Sequence, residues 1–339
     1  MTETPVQLAA MFIPVLLLAL LGGLFIYTVI RCRRIAARFP PSGRFSSGRP
    51  GSRLHFVAEG LDGGGGTLPV LVFLHGASGN LHDQKLAFDG KLEARFPRLF
   101  IDRPGLGYSE RQLRADASPK AQAMRIAALL DELAITNAIV VGHSLGAATA
   151  AALGLLRPDV VKGLVFVAPA THPWPGGVNW YYNLASWPVI GAVFCRTLAL
   201  PAAERLTSPA IGNVFKPDPA PRDYVSAAAL PLLFRPASFR ANAVDVARLK
   251  PHLIEQSVQY PAMKQPAVIV TGDKDAVVWP SIHSEGLKRD LRDAELHVLE
   301  GAGHMPHHTH AAQVAHLISG LAGKLEQQTE VRAEEHQVI

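Results

Sequence analysis

Cysteine is scarce in this chain: Cys32 and Cys195 are the only two among 339 residues. They are far apart, and neither a disulfide framework nor a zinc-ligand spacing can be assembled from them. Basic residues are not concentrated where nucleic acid would need them. The net charge of +5 is mild for this length. There is no Lys/Arg-rich block and no interleaving of basic with aromatic residues, which argues against nucleic acid as a partner. No internal repeat is visible. Residues 8–30 contain no charge at all. What fills the chain instead is apolar: 48% of it is hydrophobic, enough for one large core with an added subdomain.

The uncharged N-terminal run, LAAMFIPVLLLALLGGLFIYTVI, is long enough as a helix to span the ~30 Å hydrocarbon layer of a bilayer. Pro14 and Gly22-Gly23 are tolerable in such a helix. A cleaved signal peptide would carry a basic start and a small-residue cleavage site. Here MTETPVQ precedes the run and Arg31, Arg33, Arg34 and Arg38 follow it. Residues 1–38 therefore read as a retained single-pass anchor with an Arg-rich flank. Basic residues beside a span stay on the cytoplasmic side, so the bulk of the chain is expected in the cytoplasm. Residues 39–52, rich in Pro, Gly, Ser and Arg, read as a linker entering a first short strand. The chemistry described below uses nothing before residue 39, so residues 1–38 are expected to be separable from it.

Beyond the linker, strands and helices alternate. Strands are expected at 52–60, 68–76, 98–105, 138–144, 163–169, 267–273 and 294–301. A flexible Gly-rich turn falls at 61–67. Helices are expected at 84–95, from Ser118-Pro119 to about 134, at 145–156 and around 310–325. This alternation predicts an α/β fold with a mostly parallel sheet covered on both faces. Residues 53–170 and 261–325 form its two parts. Residues 171–260 break the rhythm and read as an inserted helical cap, with Trp174, Trp180, Tyr181, Tyr182 and Trp187 expected mainly in its core. Residues 326–339 are polar and read as a fraying tail.

The stretch VVGHSLGAATAAALG places Ser144 between an apolar strand and a small-residue helix. Gly142 and Gly146 allow a sharp turn that pushes the serine out at the sheet's carboxyl edge, and the helix N-terminus favours negative charge there. A serine hydroxyl needs a base, and a histidine base needs a carboxylate to orient it. Two loops supply candidates in the order Ser, acid, His. VTGDKDAVV carries Asp273 and Asp275, and EGAGHMPHH carries His304. Both follow strands whose carboxyl ends converge on ligands in open α/β sheets. The backbone N–H of Leu145 is one candidate oxyanion donor, and the N–H of Ala77, in the loop after LVFLHG, is the other. Asp102 is expected to brace the Arg103-Pro104-Gly105 turn, and His143 to pack behind the site. His304 could instead join a surface metal cluster with His307, His308 and His310. The sequence places no companion Cys or carboxylate near them, so no metal is expected.

Taken together, LHGASG (74–79), DRPGLGYS (102–109), GHSLG (142–146), GDKDAVV (272–278) and GHMPHH (303–308) resemble the α/β-hydrolase superfamily, in its branch of cap-bearing bacterial hydrolases. The resemblance spans residues 43–325. It implies the α/β-hydrolase fold, a Ser144–His304–Asp275 triad with Asp275 as the acid and Asp273 structural, and no metal or organic cofactor. It implies hydrolysis of a small ester, apolar if the aromatic cap sets the preference. Dehalogenases and epoxide hydrolases of the superfamily carry Asp at the elbow, so Ser144 argues against both. Carbon–carbon bond hydrolases and cofactor-free perhydrolases keep Ser and stay open, as does a non-catalytic binding module on the same fold. The resemblance says nothing of oligomeric state.

Overall fold

A computed structural model describes residues 5–61 and 68–337. The Gly-rich turn expected at 61–67 lies, after Leu61, outside the described residues. Eight strands form one sheet in the order β1-β2-β4-β3-β5-β6-β7-β8. They are β1 (Arg44–Phe45), β2 (His55–Glu59), β3 (Val70–Leu74), β4 (Arg98–Ile101), β5 (Ala138–His143), β6 (Val161–Val167), β7 (Ala267–Gly272) and β8 (Ala294–Leu299). β1 and β2 run antiparallel to their neighbours. From β4 to β8 every pairing is parallel. All five residues of β3 are buried, as the unbroken apolar run VLVFL requires of a strand covered on both faces.

Successive side chains of β3 enter different cores. Val70, Val72 and Leu74 pack with α3 (Pro119–Glu132), α4 (Leu145–Leu156) and α10 (Pro280–Asp290), through residues such as Ile126, Ala150 and Leu287. Leu71 and Phe73 pack with α2 (Leu81–Phe88) and α12 (Ala311–Gln337), through Phe88, Val314 and Ile318. Ser118 caps α3 by accepting from the Ala121 N–H, with Pro119 in the first turn.

Some boundaries differ from expectation for local reasons. α2 starts earlier because Asn80 caps it, its side chain accepting from the His82 N–H. It also ends earlier, just before Gly90, which takes a φ of 64° that ends a helix. α10 and the short α11 (Pro306–Thr309) have no counterpart among the expected helices. The polar segment after 325 continues α12 to Gln337, since its Glu, Gln, Arg and Ala are good helix formers.

Between β6 and β7 every element is helical: α5 (Trp180–Ser186), α6 (Ile190–Thr197), α7 (Ala199–Phe215), α8 (Tyr224–Ala227) and α9 (Pro236–Ser257), with short 3₁₀ turns at Leu230–Phe234 and Tyr260–Ala262. Tyr182 and Trp174 are packed inside, but Trp180 and Trp187 are 70% and 52% exposed.

The N-terminal helix α1 runs unbroken over Pro5–Arg38. Its stretch over Ile13–Arg38 is long and apolar enough to cross a membrane. Its two ends behave differently. Leu16 and Leu18 are exposed, whereas Thr28 and Ile35 are buried. Ile35 packs with Leu200, Leu232 and Phe234 of the cap. The Tyr27 hydroxyl and the Arg31 guanidinium both donate to Glu204. Residues 1–38 are thus not cleanly separable, because the last turns of the apolar helix belong to the cap's own packing. A chain lacking residues 1–24 should keep the thermal midpoint of the full chain. Loss of residues 1–38 should lower it by several degrees, and Ile35→Ala alone should cost about 2–4 kcal/mol in denaturant unfolding.

Candidate active site

Ser144 follows β5 directly and precedes the first residue of α4, at φ 51° and ψ −119°. A positive φ is strained for any residue with a Cβ, and such strain persists only where surrounding structure holds it. Here the elbow is wedged. A Cβ on Gly146 would lie 2.3 Å from the Leu74 carbonyl oxygen, and one on Gly142 would lie 2.7 Å from the Ala147 Cα. The turn therefore has no room for larger neighbours, and the strained serine cannot relax away from the sheet edge.

Three of the expected residues meet at this point. The Ser144 Oγ lies 3.1 Å from His304 Nε2, and His304 Nδ1 lies 2.8 Å from Asp275 Oδ2. All three side chains are buried. The other Asp275 oxygen, Oδ1, accepts from the N–H groups of Val277 and Val278, each at 2.9 Å. Asp275 thus offers Oδ2 to the imidazole in a fixed direction, so His304 donates from Nδ1 and Nε2 is the acceptor facing Ser144. Asp273 goes elsewhere. Its Oδ1 accepts from the Gly301 N–H at 2.7 Å, and Lys274 pairs with Oδ2 at 3.0 Å. It ties the loop after β7 to the turn after β8.

The loop after β3 lies over the serine: a Cβ on Gly76 would come within 3.1 Å of the Ser144 Cβ. Ala77 packs with Leu145 and Ala148. Leu145 is the first residue of α4, where no intrahelical acceptor exists for its N–H.

Arg103, a fully buried guanidinium, holds this loop in place. It donates to the His75 carbonyl at 2.8 Å and the Gly76 carbonyl at 3.1 Å, to Gln122 of α3 at 2.8 Å, and to Asp245 of the cap at 3.2 Å. Arg111 reaches the second Asp245 oxygen at 2.5 Å. Sequence reasoning did not find Asp245, which sits unmarked on α9. Arg103 was visible only as part of a turn. Asp102 braces that turn, accepting from His55 Nδ1 and from the N–H groups of Leu81 and Tyr108.

His143 donates from Nε2 to the His304 carbonyl at 3.0 Å and so anchors the loop behind the site. His283 of α10 accepts at Nδ1 from the Thr171 and His172 N–H groups, tying α10 to the loop after β6. The His cluster does not form as a surface group with His304. His304 turns to Ser144, while His307 and His308 turn to Asp83, at 3.2 and 2.8 Å, with the Tyr224 hydroxyl also donating to it. The companion carboxylate is Asp83, brought in from α2, more than two hundred residues away in sequence. These three side chains bring ligand atoms within 4.8 Å of one another and could hold a metal ion. Burial alone would raise the Asp83 carboxyl, but the facing His308 and His307 hold it well below the usual carboxylate range.

The alpha/beta hydrolase family is matched over residues 71–317, most of the chain. The chain belongs to the alpha/beta hydrolase family. It is 27% identical over 282 residues to the sn-1-specific diacylglycerol lipase ABHD11 of Mus musculus, covering 81% of this chain and 88% of that protein. A shorter match, 39% over 103 residues, links it to an esterase of Mycobacterium tuberculosis, covering 30% of this chain and 34% of that one. Among solved structures, the enol-lactonase of Burkholderia xenovorans LB400 superposes with a TM-score of 0.65 at 19% identity, over 82% of this chain and 99% of that one. A thermophilic esterase of Thermogutta terrifontis gives 0.63 at 19% identity, over 84% and 100%. The structural likeness shows the shared fold. The hydrolase's relatives include enzymes named as lipase and esterase.

Several histidines of the hydrolase stay neutral by burial. Desolvation lowers His75, His283 and His307 each to about 4. The unfolded chain would protonate them near 6.5, so between those values it binds more protons than the folded state. Stability therefore falls as pH is lowered through that window. Urea unfolding at pH 5 should show a clearly lower midpoint than at pH 7.5, at up to about 1.4 kcal/mol per histidine per pH unit. A His75→Gln variant that still folds should show a shallower pH slope.

Proposed function

We propose that this hydrolase is a membrane-anchored serine enzyme that cleaves a carboxylic ester through an acyl-enzyme on Ser144. The observation that carries the reading is the unbroken chain from Ser144 Oγ through His304 to Asp275, 3.1 and 2.8 Å long. In this reaction Oγ attacks the ester carbonyl carbon as its proton passes to His304 Nε2. The carbonyl oxygen becomes an oxyanion and accepts from the N–H groups of Ala77 and Leu145, with the α4 N-terminus adding favourable charge. His304 then gives the proton to the departing alkoxide, leaving an acyl group on Ser144. Water attacks that ester while His304 takes its proton and returns it to Oγ. Asp275 keeps Nδ1 protonated and stabilises the transient imidazolium.

The substrate reading rests on the apolar side chains beside the elbow. Leu145, Ala148, Ala170, Leu249 and Leu253 form a buried apolar cluster beside the elbow, with Trp174 and Val278 packed against it. Apolar surroundings of this kind favour apolar acyl or alcohol groups. The lipase and esterase activities named for its relatives support the same reaction class.

Membrane anchoring rests on the exposed apolar part of α1 and on the burial of Thr28 and Ile35. A leader removed after Ile30 would take away Tyr27 and Thr28, which bond to Glu204 and Thr197 of the cap, so these contacts favour retention. The Arg residues that follow the span favour a cytoplasmic hydrolase domain.

Ser144→Ala and His304→Ala should fold normally and lose about 10³-fold or more in turnover of an apolar acyl ester. Asp275→Asn should be crippled, while Asp273→Asn should keep near-normal turnover with a lowered thermal midpoint. Near-normal activity in Ser144→Ala would overturn the mechanism. For topology, a C-terminal fluorescent fusion should glow in the cytoplasm, and a C-terminal alkaline phosphatase fusion should be inactive. An active phosphatase would reverse the orientation.

A further inference from the structure

The place where α1 enters the cap has a feature that ester hydrolysis does not use. Arg31, Arg34 and Arg38 recur at helical spacing along one side of α1, and all three line a cavity of about 720 Å³ between that helix and α7 and α8. The apolar part of the wall includes Ile35, Ile211 and Val225. Asp223 is the one carboxylate among the lining residues. Glu204, nearby, is already engaged by Arg31 and Tyr27. Arg38 donates to the Ser226 hydroxyl at 3.3 Å. The cavity thus joins an excess of guanidinium charge to an apolar wall. Guanidinium forks match phosphate oxygens bidentately.

Two independent observations set its depth. The apolar stretch of α1 from residue 13 to residue 30, mostly exposed although Thr28 is buried, spans about 27 Å at 1.5 Å per residue, so the Arg residues fall at the headgroup layer. The cap is also apolar on its outside here: Trp180, Trp187, Val189, Ile190, Val193 and Leu198 are exposed. They lie on α5, on α6 and at its two ends, and the end of α6 touches α1, where the Thr28 hydroxyl donates to the Thr197 carbonyl at 3.5 Å. Exposed Trp beside a membrane span is the usual mark of the interfacial layer.

We propose that this cavity is a binding site for the phosphate of an anionic glycerophospholipid, with Arg34 and Arg38 on the phosphate oxygens and Ile35, Ile211 and Val225 against the glycerol and upper acyl chain. The lipid holds the cap on the bilayer. The proposal rests on the anchoring part of the function proposed above and not on the esterase chemistry.

The test uses the full-length chain purified in neutral detergent, with lipid binding read by native mass spectrometry. Phosphatidylglycerol should be retained about tenfold or more in preference to phosphatidylcholine. Arg34→Gln/Arg38→Gln should erase that preference while leaving the thermal midpoint and the turnover of a soluble ester unchanged. Arg33→Gln, which changes a neighbouring Arg that does not line the cavity, should keep it. Equal loss in Arg33→Gln would show diffuse surface charge and overturn the site. Displacement of the lipid by equimolar glycerol phosphate or inorganic phosphate would make the ligand a soluble phosphate and also overturn it. Release of the unaltered chain from membranes by alkaline carbonate would refute the anchoring and this proposal with it. Loss of headgroup preference in a chain that stays in the membrane would refute this proposal alone.

Discussion

A guanidinium with no exposed surface ties the molecule together. Arg103 leaves β4 and grips the carbonyls of His75 and Gly76, the side chain of Gln122 on α3, and Asp245 on α9. Burying a charge costs several kcal/mol unless it is paired and its donors are satisfied. Here the pairing partner sits on the cap and the remaining acceptors on the sheet loop and a flanking helix. Cap and core are therefore joined by a contact that neither can abandon without stranding a charge. Arg111, bonded to the same carboxylate, closes the arrangement. The loop it fixes is the one proposed to supply the Ala77 N–H, so the requirement to satisfy a buried charge also holds the backbone around that proposed donor.

Ser144, beneath that loop, is strained rather than charged. A residue at φ 51° costs of order 1–3 kcal/mol. The close packing of Gly142 and Gly146 against backbone leaves it no relaxed alternative. What the strain achieves is direction, with the hydroxyl turned towards His304 at the carboxyl edge of the sheet. His143 fixes the loop carrying His304 from behind, and Asp275 fixes its ring from the side. Each partner is held by bonds to backbone, which are harder to distort than contacts between mobile side chains.

The N-terminal helix adds a third level. One continuous helix is exposed and apolar at one end and part of the cap's core at the other. The cap that covers the proposed site is thereby packed against the apolar segment proposed to lie in the membrane. A hydrolase built this way would hold its substrate entrance at a constant height relative to the bilayer, which suits an apolar ester.

Much of this was legible in the chain itself. Strand cores such as VLVFL announce themselves by unbroken apolar content, Ser118-Pro119 by capping chemistry, and the GHSLG elbow by small residues at a strand–helix junction. These signals are local: backbone propensity and side-chain period act over a few residues, so a short stretch carries them whole. The choice between Asp273 and Asp275 is different. Residues alone left it open and the family resemblance favoured Asp275; in the structure Asp275 turns to His304 and Asp273 to Gly301. Asp245 and Asp83 were silent, because each acquires its meaning from partners more than a hundred residues away, Arg103 in one case and His307 and His308 in the other. The burial of Ile35 against the cap was silent for the same reason. A membrane-length run looks alike whether its end is free or packed. The sequence by itself determined the α/β architecture, the elbow and the order of candidate groups, since those follow from local rules. Only the tertiary structure decided which charges are buried together and how the anchor joins the cap, since the energy of a buried charge or side chain depends on what the whole fold brings against it.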